Sequence, residues 1–326
     1  MSYIVGDVIQ NDLQCKICHA HELKVVAIQG RHFQDLTTVI CTGCGLVHSY
    51  PIPTEEDLSA YYSKQYRSDY KSAYTPQRKH IARYARNAVS RIKNIKQFTD
   101  TNVSLIDVGS GSGEFIYAAK LAGFNVQGIE PHDGYSCYTR KTFDVPVVTA
   151  TFQNADISPE SADVITLHHV LEHFPDPLSA LIHVSKWLKY NGIMVIDVPD
   201  IENMMHSPRN RFHYAHIYNF NHDTLKAILT KAGYDLIDHP AHIKGTVLAA
   251  RKVREADSSM EITMPDNYTR LYSLLMQGAE AEHYQKKRPI KRFFNKCYCY
   301  PKEFIKGVYL WQPKKIVECE INSSNI

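Results

Sequence analysis

The sequence predicts an α/β fold in which helices cover both faces of a mainly parallel sheet. From Val103 onward, short apolar runs alternate with segments of helical periodicity, which is the order that βαβ units produce. A glycine-rich turn, Gly109-Ser110-Gly111-Ser112-Gly113, joins the first of these runs to the first helix. Two Cys-x-x-Cys pairs precede this region and a basic, aromatic segment follows it, so we expect a small metal-binding module and a helical extension.

The composition is that of a soluble globular protein, with 44% hydrophobic and 22% charged residues. The 326 residues suffice for one large domain and a smaller one. No apolar run has the length of a transmembrane helix, and the N-terminus lacks the basic and apolar regions of a signal peptide. Eight cysteines fit a reducing compartment better than a disulfide framework. We therefore expect a cytoplasmic protein, and the net charge of +3 is too small to indicate a nucleic-acid partner.

Four cysteines near the N-terminus have the spacing of a metal site. Cys15 and Cys18 form one Cys-x-x-Cys pair, and Cys41 and Cys44 form the other. Two such pairs let four thiolates converge on one tetrahedral ion, and the arrangement resembles a zinc ribbon. Four ligands close the coordination shell, so the expected zinc is structural rather than catalytic. Three nearby histidines are expected to be ordinary surface residues: His19, His21 and His48.

Residues 51–102 are predicted to form a helical linker. A basic segment from Gln77 to Ile95 places its apolar residues on one helical face, and several tyrosines precede it. One interpretation is a connecting helix that packs on the next domain. The other is a lid over a bound ligand, with Tyr66 or Arg78 reaching that ligand. Both interpretations stay open at this point.

The alternating pattern continues to about residue 252. Strands are predicted near 103–108, 125–129, 146–148, 163–167, 193–198, 234–238 and 246–251. Helices are predicted near 113–122, 133–142 and 176–189, and from the capping residue Asn221 to Gly233. No helix separates the last two strands, so the final strand is expected to be antiparallel.

The glycine-rich turn predicts a site for a nucleotide-like ligand. A strand that runs through glycines into a helix lets the backbone approach a ligand and directs free N–H groups toward it. Glu130 follows Gly109 by 21 residues, at the end of the second apolar run, and can accept both hydroxyls of a ribose. The spacing G-x-G-x-G differs from the G-x-G-x-x-G of dinucleotide sites. The turn alone therefore leaves the ligand open.

Two later motifs indicate which protein family the sequence resembles. The strand at 163–167 is followed by Leu171-Glu172-His173 and then by Asp176-Pro177, and His216 precedes Phe220 by four residues. Together with the turn, these motifs resemble the class I S-adenosylmethionine-dependent methyltransferases that act on small molecules and carry an N-terminal zinc ribbon. The resemblance implies a seven-stranded, Rossmann-like methyltransferase sheet. It also implies the following organisation: a zinc ribbon in 1–50, a helical linker or lid in 51–102, the methyltransferase core in 103–253, and a helical, basic and aromatic extension in 254–326.

The resemblance implies S-adenosylmethionine as the cofactor. We expect Asp107 and the backbone of Gly109–Gly113 to hold its methionine part and Glu130 to hold its ribose. Gly111 is expected to tolerate a side chain least, because the backbone there must pass against the ligand. The predicted cofactor-binding residues are Asp107, Gly109, Gly111, Gly113, Glu130, Pro131, Phe152, His168, His169, Tyr66 and Arg78.

The segment after the third strand, which is expected to contact the adenine ring of the cofactor, differs from the family pattern. Many relatives place an acidic residue after the third strand, whereas this chain has Val148 to Ala155 there, followed by Asp156. The backbone of Ala150 to Phe152 or the Gln153 side chain is expected to substitute. Asp156 is the weaker candidate.

Relatives that combine a zinc ribbon with this core often methylate a sugar, a nucleotide-linked sugar or a cell-surface glycan. The resemblance therefore implies an acceptor of this kind, and we expect O-methylation. A hydroxyl has a pKa far above neutral, so its proton must pass to a base, for which histidine is well suited. His216 is the first choice, because His173 is expected to hold its own loop and His169 to contact the cofactor. His213 is a further candidate.

Two alternatives stay open. The nearest is a C-methyltransferase of nucleotide-linked ketosugars, a family that usually carries a larger C-terminal domain. The other is a protein of a different class that binds or modifies nucleic acid through the ribbon. Residues 285–315 contain ten Lys or Arg and the single acidic residue Glu303. They predict a helical cap, a homodimer surface, or a peripheral segment that contacts anionic lipid at the inner membrane surface.

Overall fold

The computed structural model describes residues 6–10, 14–54, 56–58, 76, 78–203, 211–239, 246–276, 312–324 and 326. These residues fall into two compact units, each assembled from separate stretches of the chain. The first unit draws on 1–60, 169–182 and 196–292. The second draws on 61–168, 183–195 and 293–326.

The described elements are numbered in chain order. The strands are β1 (Val8–Gln10), β2 (Glu22–Gln29), β3 (Asp35–Cys41), β4 (Val47–Tyr50), β5 (Ser104–Val108), β6 (Asn125–Ile129), β7 (Val147–Val148), β8 (Ala162–His168), β9 (Leu188–Asp197), β10 (Tyr218–Asn219), β11 (Tyr234–Leu236) and β12 (Val247–Lys252). The α-helices are α1 (Arg78–Ile95), α2 (Glu114–Leu121), α3 (Asp133–Phe143), α4 (Pro177–Ser185), α5 (His222–Lys231), α6 (Pro265–Met276) and α7 (Pro313–Asn322).

A seven-stranded sheet has the order β11-β12-β9-β8-β5-β6-β7. Strand β5 lies parallel to both β6 and β8, and β6 lies parallel to β7. Strands β11 and β12 pair antiparallel. The predicted α/β class, with a mainly parallel sheet and an antiparallel closing pair, is confirmed.

The helix predicted over 176–189 was wrong at its C-terminal end. Helix α4 ends at Ser185, and β9 begins at Leu188. Leu188 and Ile193 are buried in strand conformation, although Leu188 also fits the helical spacing. A short apolar run satisfies both periodicities, so the pattern could not place this boundary.

The predicted start and end of α5 are confirmed. Asn221 Oδ1 accepts a hydrogen bond from the Thr224 amide at 3.0 Å, and Thr224 Oγ1 accepts one from the Asn221 amide at 3.1 Å. Gly233, just beyond the helix, has φ of 93°, the left-handed conformation that ends helices.

The first unit contains a five-stranded antiparallel sheet in the order β1-β2-β3-β4-β10. Strand β10 comes from far along the chain and pairs Tyr218 with His48 of β4. The N-terminal ribbon is thus extended by a strand that the sequence pattern did not predict. Leu271 of α6 and Phe212 are buried in the same core cluster as Ile40.

In the second unit, helix α7 packs on α1, α2 and α3. Its Val317 is fully buried, and the Tyr117 hydroxyl of α2 donates to Glu318 at 2.6 Å. Burial and the Glu318 carboxylate together raise the pKa of Tyr117 to about 12. The predicted C-terminal extension therefore contributes α6 to the first unit and α7 to the second.

Several sequence predictions concern residues beyond this description. Tyr66 and residues 285–311 lie outside the described residues, and the side chain of Arg78, the first residue of α1, is not described. The lid, homodimer and lipid-contact predictions therefore stay predictions. Within the described ranges, no helix combines the length and the apolar character needed to cross a bilayer.

Candidate active site and metal centre

The glycine-rich turn follows β5 in the second unit and leads into α2. Gly109, Gly111 and Gly113 have φ of 74°, 54° and 87°, all in the left-handed region that favours glycine. The amide of Gly109 donates to the Ile129 carbonyl at 2.8 Å, which joins the turn to the end of β6. The turn therefore has a fixed shape that depends on its glycines.

The space beside the glycines differs between positions. A Cβ atom at Gly111 would have the Gly109 carbonyl oxygen, at 3.9 Å, as its nearest neighbour. A Cβ atom at Gly113 would collide with the Thr139 side chain. The expectation that Gly111 tolerates a side chain least is therefore corrected for the protein itself, in which Gly113 has less room. The open space at Gly111 is what a ligand in close contact with the backbone would need.

Glu130 is oriented by two backbone amides. Its Oε2 accepts from the Gly111 amide at 2.8 Å, and its Oε1 accepts from the His132 amide at 2.9 Å. Burial raises the pKa of this carboxyl above its usual range, although the two amide hydrogen bonds act in the opposite direction. The remaining lone pairs can accept further hydrogen bonds, as ribose hydroxyls would require. Pro131, the next residue, is exposed.

Asp107 and His168 lie together at the ends of β5 and β8. Thr166 donates its hydroxyl to Asp107 Oδ1 at 2.6 Å, and His168 Nδ1 is 3.5 Å from the same oxygen. The His168 ring packs edge-on against Phe115, with centroids 4.5 Å apart. Both side chains at the carboxyl ends of these strands are thus held in place by protein contacts.

Phe152 lies in a short 3-10 turn, Phe152–Asn154, after β7. Its ring packs edge-on against His183, with centroids 5.6 Å apart. Gln153 and Asp156 are both exposed. The residue that contacts adenine stays a prediction.

A cluster of histidines surrounds Glu172 in the first unit. The Glu172 side chain is 1% exposed, and within the described part of the chain neither carboxylate oxygen accepts a hydrogen bond. His169 Nδ1 and His173 Nε2 lie 3.6 and 3.8 Å from its Oε1. The His173 ring is 5.0 Å from that of His216, which is 5.4 Å from that of His213. The structure therefore brings together all four histidines that the sequence offered as candidates for the base.

Glu172 is the member of this cluster that sequence reasoning missed. It belongs to the Leu171-Glu172-His173 motif, but the motif predicted no separate role for it. A carboxylate directly after a buried strand and an apolar residue is a weak signal for a buried charge. Only the contacts around it show how unusual its environment is.

Two of the histidines have contrasting environments. Burial, and after it the neighbouring His173 and His213, lower the pKa of His216 well below its usual range. The His169 side chain is 51% exposed, and its Nε2 is 3.8 Å from Asp197 Oδ2. His169 has φ of 59°, which is uncommon for a residue with a side chain, and its amide donates to the Asp197 carbonyl at 2.7 Å.

The four predicted metal ligands also come together in the first unit. All four cysteines are buried, and their sulfur atoms lie within 4.8 Å of one another. The distances are 3.6 Å between Cys15 and Cys44 and 3.4 Å between Cys18 and Cys41. Sulfurs around a tetrahedral zinc are about 3.8 Å apart, so the arrangement fits the ion with small adjustments.

Residues far along the chain support the cysteine site. Asn267 donates to the Cys44 carbonyl at 2.8 Å, and the buried Lys231 ammonium donates to the Ile17 carbonyl at 3.2 Å. Neither residue could be assigned from the local pattern. His48 is only 4% exposed, so the expectation that it is a surface residue was wrong; its ring lies tilted against that of Tyr218 in the added strand β10, with centroids 5.6 Å apart.

Comparison with known proteins gives consistent matches. A family model described as "Methyltransferase domain" matches residues 77–239, half of the chain. The ubiquinone biosynthesis O-methyltransferase of Hydrogenovibrio crunogenus is 32% identical over 110 residues, covering 31% of this chain and 45% of that protein. The enzyme of the same name from Photobacterium profundum is 32% identical over 95 residues, covering 27% of this chain and 40% of that protein. The chain thus spans less than half the length of the curated relatives it matches.

Among solved structures, a SAM-dependent methyltransferase from Aquifex aeolicus is 17% identical, with a TM-score of 0.45. The match covers 55% of this chain and 100% of that chain.

The contrast between the two glycines can be tested by substitution. Gly113→Ala should cost about 2–3 kcal/mol of unfolding free energy, since its Cβ collides with Thr139 at a left-handed φ. Gly111→Ala should cost only about 1 kcal/mol, because its Cβ meets open space. It should weaken S-adenosylmethionine binding about tenfold or more, a loss of about 1.4 kcal/mol. Urea unfolding and calorimetry measure the two effects, and normal S-adenosylmethionine affinity in Gly111→Ala would contradict the assignment.

The raised pKa of Glu130 predicts a pH dependence of S-adenosylmethionine binding. In the predicted complex the ionised carboxylate would accept the ribose hydroxyls, so affinity should be full above this raised pKa and fall as the pH drops through it. Calorimetry across this range should show the loss in the wild type and a flatter profile, with weaker binding, in Glu130→Gln. Glu255→Gln, at an exposed position, is the matched control and should behave as the wild type. Identical pH profiles for Glu130→Gln and the wild type would exclude this role.

The cysteine site predicts one thiolate-bound zinc per chain. A thiol-reactive mercurial should release about one zinc from the wild type and from Cys137→Ser, a matched substitution outside the site. Cys41→Ser should release little zinc and should unfold at a lower temperature, because zinc binding contributes to folding. A wild-type melting temperature unchanged by zinc removal would show that the ion does not stabilise the fold.

Proposed function

Because the chain belongs to the methyltransferase domain family, we propose that it is an S-adenosylmethionine-dependent enzyme that O-methylates a sugar, a nucleotide-linked sugar or a cell-surface glycan. The observation that carries the O-methylation proposal is His169, an accessible imidazole beside two carboxylates. A hydroxyl needs such a base, because its own pKa is far above neutral. The matched relatives are named O-methyltransferases, which agrees with a hydroxyl acceptor.

The residues of the second unit have the chemistry to hold the cofactor. When bound, S-adenosylmethionine supplies an electrophilic methyl group on its sulfonium sulfur. Asp107 and the backbone of Gly109–Gly113 hold the amino-acid part, and Glu130 holds the ribose. Phe152, in the turn after β7, offers a ring face or edge to the adenine. This assignment is supported by the open space at Gly111 and by the orientation of the Glu130 carboxylate.

Among the candidate bases, the contacts favour His169 over His216. The carboxylates of Glu172 and Asp197 lie 3.6 and 3.8 Å from its two ring nitrogens, so they stabilise the imidazolium that forms when it takes a proton. The half-exposed ring is open to an acceptor. His216 is more deeply enclosed, and its lowered pKa makes it a weaker proton acceptor.

The zinc ribbon favours a glycan-type acceptor, since the ribbon and core together resemble methyltransferases that modify sugars. The sequence-matched relatives suggest a second kind of hydroxyl, because they are named for ubiquinone biosynthesis. An acceptor panel separates the two. We expect methyl transfer from labelled S-adenosylmethionine to sugars or nucleotide-linked sugars, with an O-methyl product by mass spectrometry and NMR. Transfer to phenolic hydroxyls alone would overturn the glycan proposal, and a methyl group on carbon would favour the ketosugar C-methyltransferase alternative.

The role of His169 predicts a selective loss of turnover. His169→Asn should lower kcat by about 10²–10⁴-fold, because asparagine keeps the left-handed backbone but cannot act as the base. His32→Asn is a matched control, since His32 also has φ of 59°, and it should keep full activity. Steady-state kinetics and calorimetry check both variants. A raised Kd for S-adenosylmethionine with unchanged kcat would assign His169 to the cofactor instead.

A further inference from the structure

We propose that Glu172, His173 and His216 bind one divalent transition-metal ion at a site distinct from the four-cysteine site. Each of the three residues offers one ligand atom, and these atoms all lie within 4.8 Å of one another. In the described part of the chain, this group and the four cysteines are the two sets of residues with that property. Two imidazoles and one carboxylate form a donor set that suits ions such as Mn²⁺, Fe²⁺, Co²⁺ and Zn²⁺.

The buried carboxylate of Glu172 is an independent indication of a ligand. The side chain is 1% exposed, and neither oxygen accepts a hydrogen bond from the described residues. Burial of a carboxylate without donors is costly, so such a group needs a compensating charge. The nearest candidates, His169 and His173, remain 3.6 and 3.8 Å away, beyond hydrogen-bond distance. A cation bound directly to the carboxylate would supply the missing partner.

The orientation of His173 is that of a metal ligand. Its Nδ1 lies 2.6 Å from the Ala215 carbonyl oxygen. A carbonyl can only accept, so Nδ1 carries the proton and donates. The lone pair is then on Nε2, the nitrogen that faces Glu172. Histidines that bind metals are commonly held in this way, with the second nitrogen donating to a carbonyl or carboxylate.

His213 belongs to the surroundings of the site rather than to the donor set. Its Nδ1 accepts a hydrogen bond from the Ala215 amide at 3.0 Å. The Ala215 backbone thus holds two histidines in opposite senses, with its carbonyl accepting from His173 and its amide donating to His213. His216, the next residue along the chain, completes the donor set from the same segment.

A bound ion would also assist the proposed methyl transfer, and this part of the inference rests on the proposed function. Three protein ligands would leave coordination positions open, at which a bound ion would supply Lewis acidity to an acceptor hydroxyl. The hydroxyl proton would pass to His169, whose imidazolium Asp197, 3.8 Å from Nε2, would stabilise while Glu172 binds the ion, and the new O–CH₃ bond would form as the S–CH₃ bond of the cofactor breaks. The ion itself is neither oxidised nor reduced.

Titration of the full chain with Mn²⁺ tests the site directly. Mn²⁺ prefers oxygen and nitrogen ligands and binds thiolates weakly, so it leaves zinc at the cysteines undisturbed. Free Mn²⁺, followed by electron paramagnetic resonance, should reveal one saturable site in wild type loaded with a single zinc per chain, which the four thiolates take up and which leaves the second site open to Mn²⁺. Glu172→Gln and His216→Gln should each weaken binding about 100-fold or more. Glu255→Gln and His222→Gln, matched substitutions outside the site, should bind as the wild type does.

Thermal unfolding controls for folding in the same variants. Glu172→Gln removes a buried charge, so without Mn²⁺ its melting temperature should be no lower than that of the wild type. Mn²⁺ should raise the melting temperature of the wild type and leave that of Glu172→Gln unchanged. Absence of saturable Mn²⁺ binding to the folded, zinc-loaded wild type, or unchanged binding in Glu172→Gln, would overturn the site.

Mn²⁺ binding and hydroxyl methylation are measured independently, so loss of the metal site and loss of the proposed function give different results. Hydroxyl methylation by a protein that binds no Mn²⁺ would remove the metal site and leave the function standing. Saturable Mn²⁺ binding that depends on Glu172, in a protein that methylates no hydroxyl, would leave the site standing and remove the function.

Discussion

The carboxylate of Glu130 is the contact on which the cofactor region depends. It accepts hydrogen bonds from the amides of Gly111 and His132, and so joins the turn after β5 to the turn after β6. The left-handed conformations of the glycines allow that approach, and the Gly109 amide reinforces it at the Ile129 carbonyl. Because the shape is fixed before any ligand arrives, the chain bears little ordering cost on binding.

The first unit presents a different physical situation. Its cysteine site brings four thiolates together, and its histidine cluster encloses a carboxylate that has no hydrogen-bond donor among the described residues. Both arrangements concentrate negative charge or lone pairs in buried positions. We propose a cation at each: zinc at the thiolates, and a second ion at Glu172. The two sites have different donors: the thiolates favour zinc, whereas nitrogen with oxygen at the second site suits several divalent ions.

The sequence predicted those features that local chemistry determines. Helix α5 begins after Asn221 and ends before Gly233 as expected, since capping residues and left-handed glycines act through neighbouring residues alone. The Cys-x-x-Cys pairs likewise predicted a convergent site. Strand β10 could not be predicted, because its two residues become a strand only by pairing with β4. The buried state of Glu172 and the collision at Gly113 also arise from residues distant in sequence, which no local pattern contains.

A crystal structure of the protein with S-adenosylhomocysteine would test the account most directly. We expect both ribose hydroxyls to lie within hydrogen-bond distance of Glu130. The ligand should contact the backbone at Gly111, where a Cβ atom would meet open space. The amino-acid part should lie beside Asp107. A ligand whose ribose is held by other residues, with Glu130 bonded only to its two amides, would contradict the central claim.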